Sequence, residues 1–141
     1  SLARLGAQMI IKSLDLLENK NASFLPQNEK DATYARKILK VEAKINWNET
    51  AHEVVSKINA LNPNPGSWFQ HKGNRIKVTK ALESNLQGKP GQILNAKFTI
   101  ACRENSIEVL ELQKEGKRKM KTSEDLKGNK LEIGAIIGKD L

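Results

Sequence analysis

Apolar positions change their period once along the chain, around Asn62–Gly66. Ahead of that point the pattern is helical. Leu2, Leu5, Met9, Ile10, Ile11, Leu14 and Leu17 recur at helical spacing and predict a helix from Leu2 to about Leu17. Asn19-Lys20-Asn21 closes it with turn-prone residues and a cation near the negative end of the helix dipole. Its apolar stripe is broad and needs a partner surface. A second helix is predicted at about 50–61, where Ala51, Val54, Val55, Ile58 and Leu61 share a face. Asn48 or Thr50 can cap it, and Thr50 and Glu53 have capping-box spacing. Pro63, Pro65 and Gly66 stop this helix, and Trp68-Phe69 offers the next core a large apolar anchor.

After the prolines the period falls to two. Residues 67–70 turn at His71-Lys72-Gly73-Asn74 into residues 75–81, where Ile76 and Val78 face one way and Arg75, Lys77 and Thr79 the other. Further strands are predicted at 92–94, 98–102 and 107–113. Five short strands at this spacing predict a closed or nearly closed barrel. Thr122 or Ser123 is expected to cap a short helix to about Lys127, with a final strand from Leu131, Ile133, Ile136 and Ile137. The expected core is Trp68, Phe69, Ile76, Val78, Ile93, Ile100, Val109 and Leu112. Residues 22–46 lack a clear period and read as a connection over a surface or between domains.

Charge sharpens this picture. The 141 residues carry a formal net charge of +8, with 38% hydrophobic and 28% charged residues. A sequence pI near 9.6 makes a polyanion the expected partner. Lys114, Lys117, Arg118, Lys119 and Lys121 crowd one segment opposed only by Glu115. Such a cluster is relieved by a bound anion; the alternative is a solvated loop. No apolar run approaches the roughly 20 residues needed to span a bilayer, and no signal peptide is visible at the start. The opening residues read as interior to a longer protein.

Chemistry-bearing motifs are missing. The sequence has no glycine-rich phosphate loop, no zinc-ligand spacing and no serine in a nucleophile-elbow context. Cys102 is the only cysteine, which rules out an internal disulfide and suits a reducing compartment. It reads as a structural thiol near a strand end, and His52 as an exposed helix residue. No catalytic, cofactor-binding or metal-binding residue is assigned, and the chain reads as a binding module.

Three segments, in order, resemble the C-terminal half of methionyl-tRNA formyltransferases. They are Asp31-Ala32-Thr33-Tyr34-Ala35-Arg36-Lys37-Ile38 with Ile45-Asn46-Trp47; Ile58-Asn59-Ala60-Leu61-Asn62-Pro63-Asn64-Pro65-Gly66-Ser67-Trp68; and Leu110-Glu111-Leu112-Gln113-Lys114-Glu115-Gly116-Lys117-Arg118-Lys119-Met120. The opening Leu5-Gly6-Ala7 helix, Pro90-Gly91, Leu126-Lys127-Gly128 and Gly134-Ala135-Ile136-Ile137-Gly138 fit as well, so the likeness covers nearly the whole chain. One departure is Asn59, where the family commonly has Arg.

The resemblance implies an enzyme that moves a formyl group from 10-formyltetrahydrofolate to the amino group of initiator methionyl-tRNA, in the cytoplasm, during translation initiation. It implies a mainly β fold with helices: an OB-like β-barrel preceded by a helix, with an N-terminal helix and linker left from a Rossmann-like formyltransferase domain. Residues 1–27 would be the end of the catalytic domain, 28–46 the linker and 47–141 the tRNA-binding domain. None of the family's catalytic motif is found in this chain, so no formyl transfer is expected of it alone. The expected tRNA contacts are Arg36, Lys37, Lys40 and Lys44 in the linker, Arg75, Lys77 and Lys80 in a strand, and Lys117, Arg118, Lys119 and Lys121 in the basic segment, all on one face. Neither a membrane nor a metal is expected as a partner. Self-association through the first helix is expected where its stripe lacks a cover. Two alternatives remain at this point: a substrate-binding domain of another 10-formyltetrahydrofolate-dependent enzyme, and a free-standing OB-type RNA-binding module.

Overall fold

A computed structural model describes residues 1–138. The chain divides into two compact units, Ser1–Arg36 and the residues from Lys37 on. In the first, helix α1 (Leu2–Glu18) buries none of its residues, and Leu5, Met9, Ile10 and Leu14 are all exposed. A 3-10 turn at Glu29–Asp31 follows, capped by the Asn28 side chain.

The second unit is mainly β. Helix α2 (Ala51–Leu61) begins with the expected capping box: Glu53 N–H donates to Thr50 Oγ1 at 3.2 Å, and Thr50 N–H donates to Glu53 Oε2 at 2.7 Å. These bonds to the charged form hold the Glu53 carboxyl below the usual range, first through the Thr50 backbone N–H. Ala51, Val54, Ile58 and Leu61 form its buried stripe, which packs on β2 and β4. Each large side chain fully buried in this way contributes about 1.5–3 kcal/mol.

The strands are β1 (Trp68–His71), β2 (Asn74–Ser84), β3 (Thr99–Ala101), β4 (Ser106–Lys114) and β5 (Met120–Lys121). They form one antiparallel half-barrel sheet in the order β1-β2-β4-β3, with β5 on β4. Phe69 sits at the centre of the core, edge-on to Trp47 at 5.5 Å and to Phe98 at 6.1 Å between ring centroids. Register shifts at Val78/Lys80 and Lys80/Ala81 keep both Val78 and Ala81 facing inward along a long, bent β2.

Several expectations change. Trp68 is mostly but not fully buried, while Phe69 and the six other expected core residues are buried. Neighbours in a strand point to opposite faces, so one core cannot take both Trp68 and Phe69. Residues 92–94 and the expected last strand do not form strands. They contribute isolated bridges, Gln92 with Ile136 and Ile93 with Ile100. The short helix α3 (Thr122–Asp125) is capped at Lys121 without a side-chain bond, and Thr122 is buried instead of capping. Inside the expected linker, Ala43 and Ile45 are buried and join β1: Trp68 N–H donates to Ala43 O at 3.0 Å and Ile45 N–H to Trp68 O at 2.7 Å.

Candidate nucleic-acid interface

The register of the sheet decides which cations meet. Trp68 pairs with Lys77, which pairs with Gln113; Gln70 pairs with Arg75; Lys80 pairs with Glu111, which pairs with Lys121. Paired residues project to the same side of a sheet. Ile76, Val78 and Leu112 fill the inner side. Arg75, Lys77, Lys80 and Lys121 therefore share the outer side with Trp68, Glu111 and Gln113.

Trp68 organises one end of this face. The Arg75 guanidinium carbon lies 4.1 Å from its ring centroid and Lys44 Nζ lies 5.8 Å away. Its Nε1–H donates to Lys40 O at 2.8 Å. A partly exposed indole thus ties Lys40, Lys44 and Arg75 to the edge of β1 through stacking and a backbone bond. Beside it lies a cleft of about 290 Å³ lined by Lys40, Arg75, Lys77 and Lys114, with Asn64 and Glu115. Gly66 closes the turn before β1 at φ 79°, and a Cβ there would meet Lys77 Cδ at 2.6 Å. The bare backbone lets the Lys77 stem lie across the turn.

At the other end the basic segment is partly neutralised. Lys119 Nζ bonds Glu111 Oε2 at 3.0 Å, and Thr79 Oγ1 lies 3.4 Å from the same oxygen. The Lys119 bond, ahead of the other interactions, holds the Glu111 carboxyl below the usual range. Lys114 pairs with Asp125 at 2.6 Å. Lys117 and Arg118 lie on an exposed turn, where Lys117 N–H donates to Lys114 O at 3.0 Å and Lys117 O accepts from Gln113 Nε2 at 2.9 Å.

Of the cations expected at the interface, Lys40, Lys44, Arg75 and Lys77 gather around Trp68, and Lys80, Lys119 and Lys121 gather around Glu111. Lys37 is exposed at the start of the second unit, whereas Arg36 belongs to the first. Trp68, expected in the core, and Glu111, absent from the expected site, both belong to the outer face; strict alternation from Phe69 and from Leu112 puts them there. Lys97 is a further cation that the sequence does not single out. It lies in the turn before β3 and reaches the Lys80–Lys121 cleft only through tertiary packing.

The Cys102 thiol is buried, which pushes its pKa up to about 12, with Glu49 adding to the rise. His52 Nδ1 lies 2.9 Å from Glu83 on the surface. Among the described residues, no group of three or more His, Cys, Asp or Glu side chains is placed to hold a metal ion, and no helix is long and apolar enough to cross a membrane.

Comparison with known proteins fits this architecture. Residues 37–130 match the family described as "Formyl transferase, C-terminal domain". The chain is 38% identical over 141 aligned positions to the methionyl-tRNA formyltransferase of Rhodopseudomonas palustris (strain BisB5), covering 97% of this chain and 46% of that protein. It is 39% identical over 138 positions to that of Paramagnetospirillum magneticum, covering 97% and 45%. The chain therefore spans about half the length of these curated relatives. Among solved structures, HypX from Aquifex aeolicus superposes with a TM-score of 0.65 at 20% identity, over 89% of this chain and 24% of that one. HypX in complex with tetrahydrofolic acid gives 0.64 at 18% identity, over 84% and 22%. At these identities the structural likeness speaks for the fold alone. Together with the half-barrel and its preceding helix, the family match and the two relatives place this chain: it belongs to the formyl transferase C-terminal domain family.

Proposed function

We propose that this chain is the tRNA-holding C-terminal part of a methionyl-tRNA formyltransferase. The whole protein would transfer a formyl group from 10-formyltetrahydrofolate to the amino group of initiator methionyl-tRNA, in the cytoplasm. The co-substrate would be held upstream, as would the groups that perform the transfer. Residues 1–27 would end the catalytic domain, 28–46 would link, and 47–141 would form an OB-like domain, with residues 43–45 docked on β1.

One observation carries the reading: the register sets Arg75, Lys77, Lys80 and Lys121 on one outer sheet face in a family whose relatives are named for a tRNA substrate. Lysines act as point charges and suit phosphates. Trp68 and Arg75 give the face a fixed, pre-ordered end, which lowers the entropy lost on binding. Lys37, Lys40, Lys44, Lys117, Arg118 and Lys119 would extend the track. Lys119 would exchange Glu111 for a phosphate. This chain would hold tRNA with little sequence preference, and the choice of initiator tRNA would come from the catalytic part.

The test is fluorescence anisotropy of labelled initiator and elongator tRNAs titrated with this chain at about 50 and 200 mM salt. Binding of both with similar affinity, falling steeply at the higher salt, supports the proposal. No binding at the lower salt refutes it.

A further inference from the structure

On the outer side of the sheet, next to the basic track, lies a second cleft of about 420 Å³. Its walls combine two chemistries. Ala96, Leu110 and Leu126 supply apolar surface, and the side of the lining formed by Lys80, Lys97 and Lys121 is basic. Glu108 and Glu111 lie on the same lining, and Lys119 pairs with Glu111 at 3.0 Å, which leaves Lys80, Lys97 and Lys121 in excess. At its edge sits Thr122, 4% exposed, whose Oγ1 is buried with no hydrogen-bond partner among the described residues. A buried hydroxyl left unpaired costs free energy, which a bound group able to bond it would recover.

The cleft is firmly shaped. Asn95 Oδ1 accepts from Lys97 N–H at 2.9 Å and Thr99 N–H at 3.3 Å, which fixes the turn carrying Ala96 and Lys97. Opposite it, the Lys114–Asp125 pair fastens α3 to β4.

A lone phosphate has no use for the apolar wall, and an apolar ligand has none for the lysines. A nucleotide uses both, and a cleft of this size accepts a small organic ligand. We propose that this cleft receives a single unstacked nucleotide of the bound RNA. The phosphate lies among Lys80, Lys97 and Lys121. The base lies against Leu110 and Leu126. The Thr122 hydroxyl, held by no partner among the described residues, turns toward the cleft on binding to bond a polar edge of the base or ribose, and Glu108 lines the same side as an acceptor for a hydroxyl or exocyclic amine. Unpaired bases of folded RNA are read in this way, out of the stack. That the nucleotide comes from tRNA rests on the function proposed above; that the cleft takes a nucleotide does not.

The test has two arms. In the first, AMP, adenosine and inorganic phosphate are titrated separately into the full chain, and backbone amide shifts of Leu110, Thr122 and Leu126 are followed by NMR. AMP is expected to shift all three and to bind more tightly than phosphate or adenosine. Ala96→Trp, which fills the cleft from an exposed turn, is expected to abolish the shifts. Thr122→Val is expected to weaken AMP at least threefold without lowering the urea midpoint, because the hydroxyl it removes has no partner in the fold. No shifts with AMP, or equal binding of phosphate alone, overturns the proposal.

The second arm measures tRNA affinity of Ala96→Trp against salt. Loss of one seated base weakens binding between about 5-fold and 150-fold. The salt slope flattens by about 0.7–0.9, because the phosphate of the displaced nucleotide is no longer held among Lys80, Lys97 and Lys121, while the rest of the track is untouched. Wild-type affinity in Ala96→Trp overturns the RNA-nucleotide proposal and leaves the basic track standing. Absence of tRNA binding by the unmodified chain, with AMP shifts retained, overturns the tRNA reading and its source for the nucleotide while leaving the cleft a nucleotide site.

Discussion

Trp68→Ala tests how the basic face is held. Full removal of a buried aromatic costs about 3–5 kcal/mol. Trp68 is mostly but not fully buried, so its packing share is about 2–4 kcal/mol. The stacked Arg75 adds about 0.5 kcal/mol at an exposed site. The Nε1–H bond to Lys40 O adds between roughly 0 and 0.5 kcal/mol, since water replaces the donor once the ring is gone. The expected loss is about 2.5–5 kcal/mol, below the loss from Phe69→Ala in the same assay, whose ring is 1% exposed and wedged between two aromatics. Urea unfolding of both variants, followed by circular dichroism, gives the comparison from the midpoints at constant slope. A double-mutant cycle with Arg75→Ala isolates the stack, expected to couple by about 0.5–1 kcal/mol. If Trp68→Ala costs as much as Phe69→Ala, or the cycle shows no coupling, Trp68 is a core residue and does not organise the cations.

Three further outcomes are expected. Light scattering of the whole chain should show self-association through the exposed apolar stripe of α1, lost on removal of residues 1–21; a monomer in both cases contradicts this. Cys102 should resist alkylation at pH 8 until the protein unfolds. Its folded pKa, about 12, is raised, so its contribution to stability is full below the unfolded value of about 8.5 and is lost as pH rises toward 12. Cys102→Ala should flatten that alkaline decline in the urea midpoint, and rapid labelling of the folded chain at pH 8 contradicts the assignment. In an assay with 10-formyltetrahydrofolate and charged initiator tRNA, this chain alone should form no product above blank; measurable turnover would locate catalytic groups here.

Much of the second unit is legible in the sequence because its signals are local. The capping box at Thr50 and Glu53, the stripe Ala51–Leu61 and the alternation of Arg75–Thr79 each follow from a fixed period and reappear in the structure. The end strands do not, because Gln92–Ile93 and Ile136 are tied by single bridges, which leave no repeating pattern. Ala43 and Ile45 are hidden in a polar stretch, their burial set by a partner more than 20 residues away at Trp68. For the candidate interface, clustering along the sequence singles out 114–121 as a cation patch, but Glu111 and Asp125 reach back across β4 and α3 to pair two of those lysines. Conversely, Arg75, Lys77 and Lys80 lie on β2 and Lys121 on β5, and only the register across β4 sets Lys121 on their side.

The most direct test of the interface is the salt dependence of tRNA binding by the Arg75→Gln/Lys77→Gln/Lys121→Gln variant, with urea midpoints confirming that it folds. If these side chains hold phosphates, the plot of log affinity against log salt flattens by about 0.7–0.9 for each phosphate no longer neutralised, or roughly 2–3 in all. The exposed-turn variant Lys117→Gln/Arg118→Gln is expected to flatten it less. An unchanged affinity and slope in the triple variant would contradict a tRNA-binding role for this face.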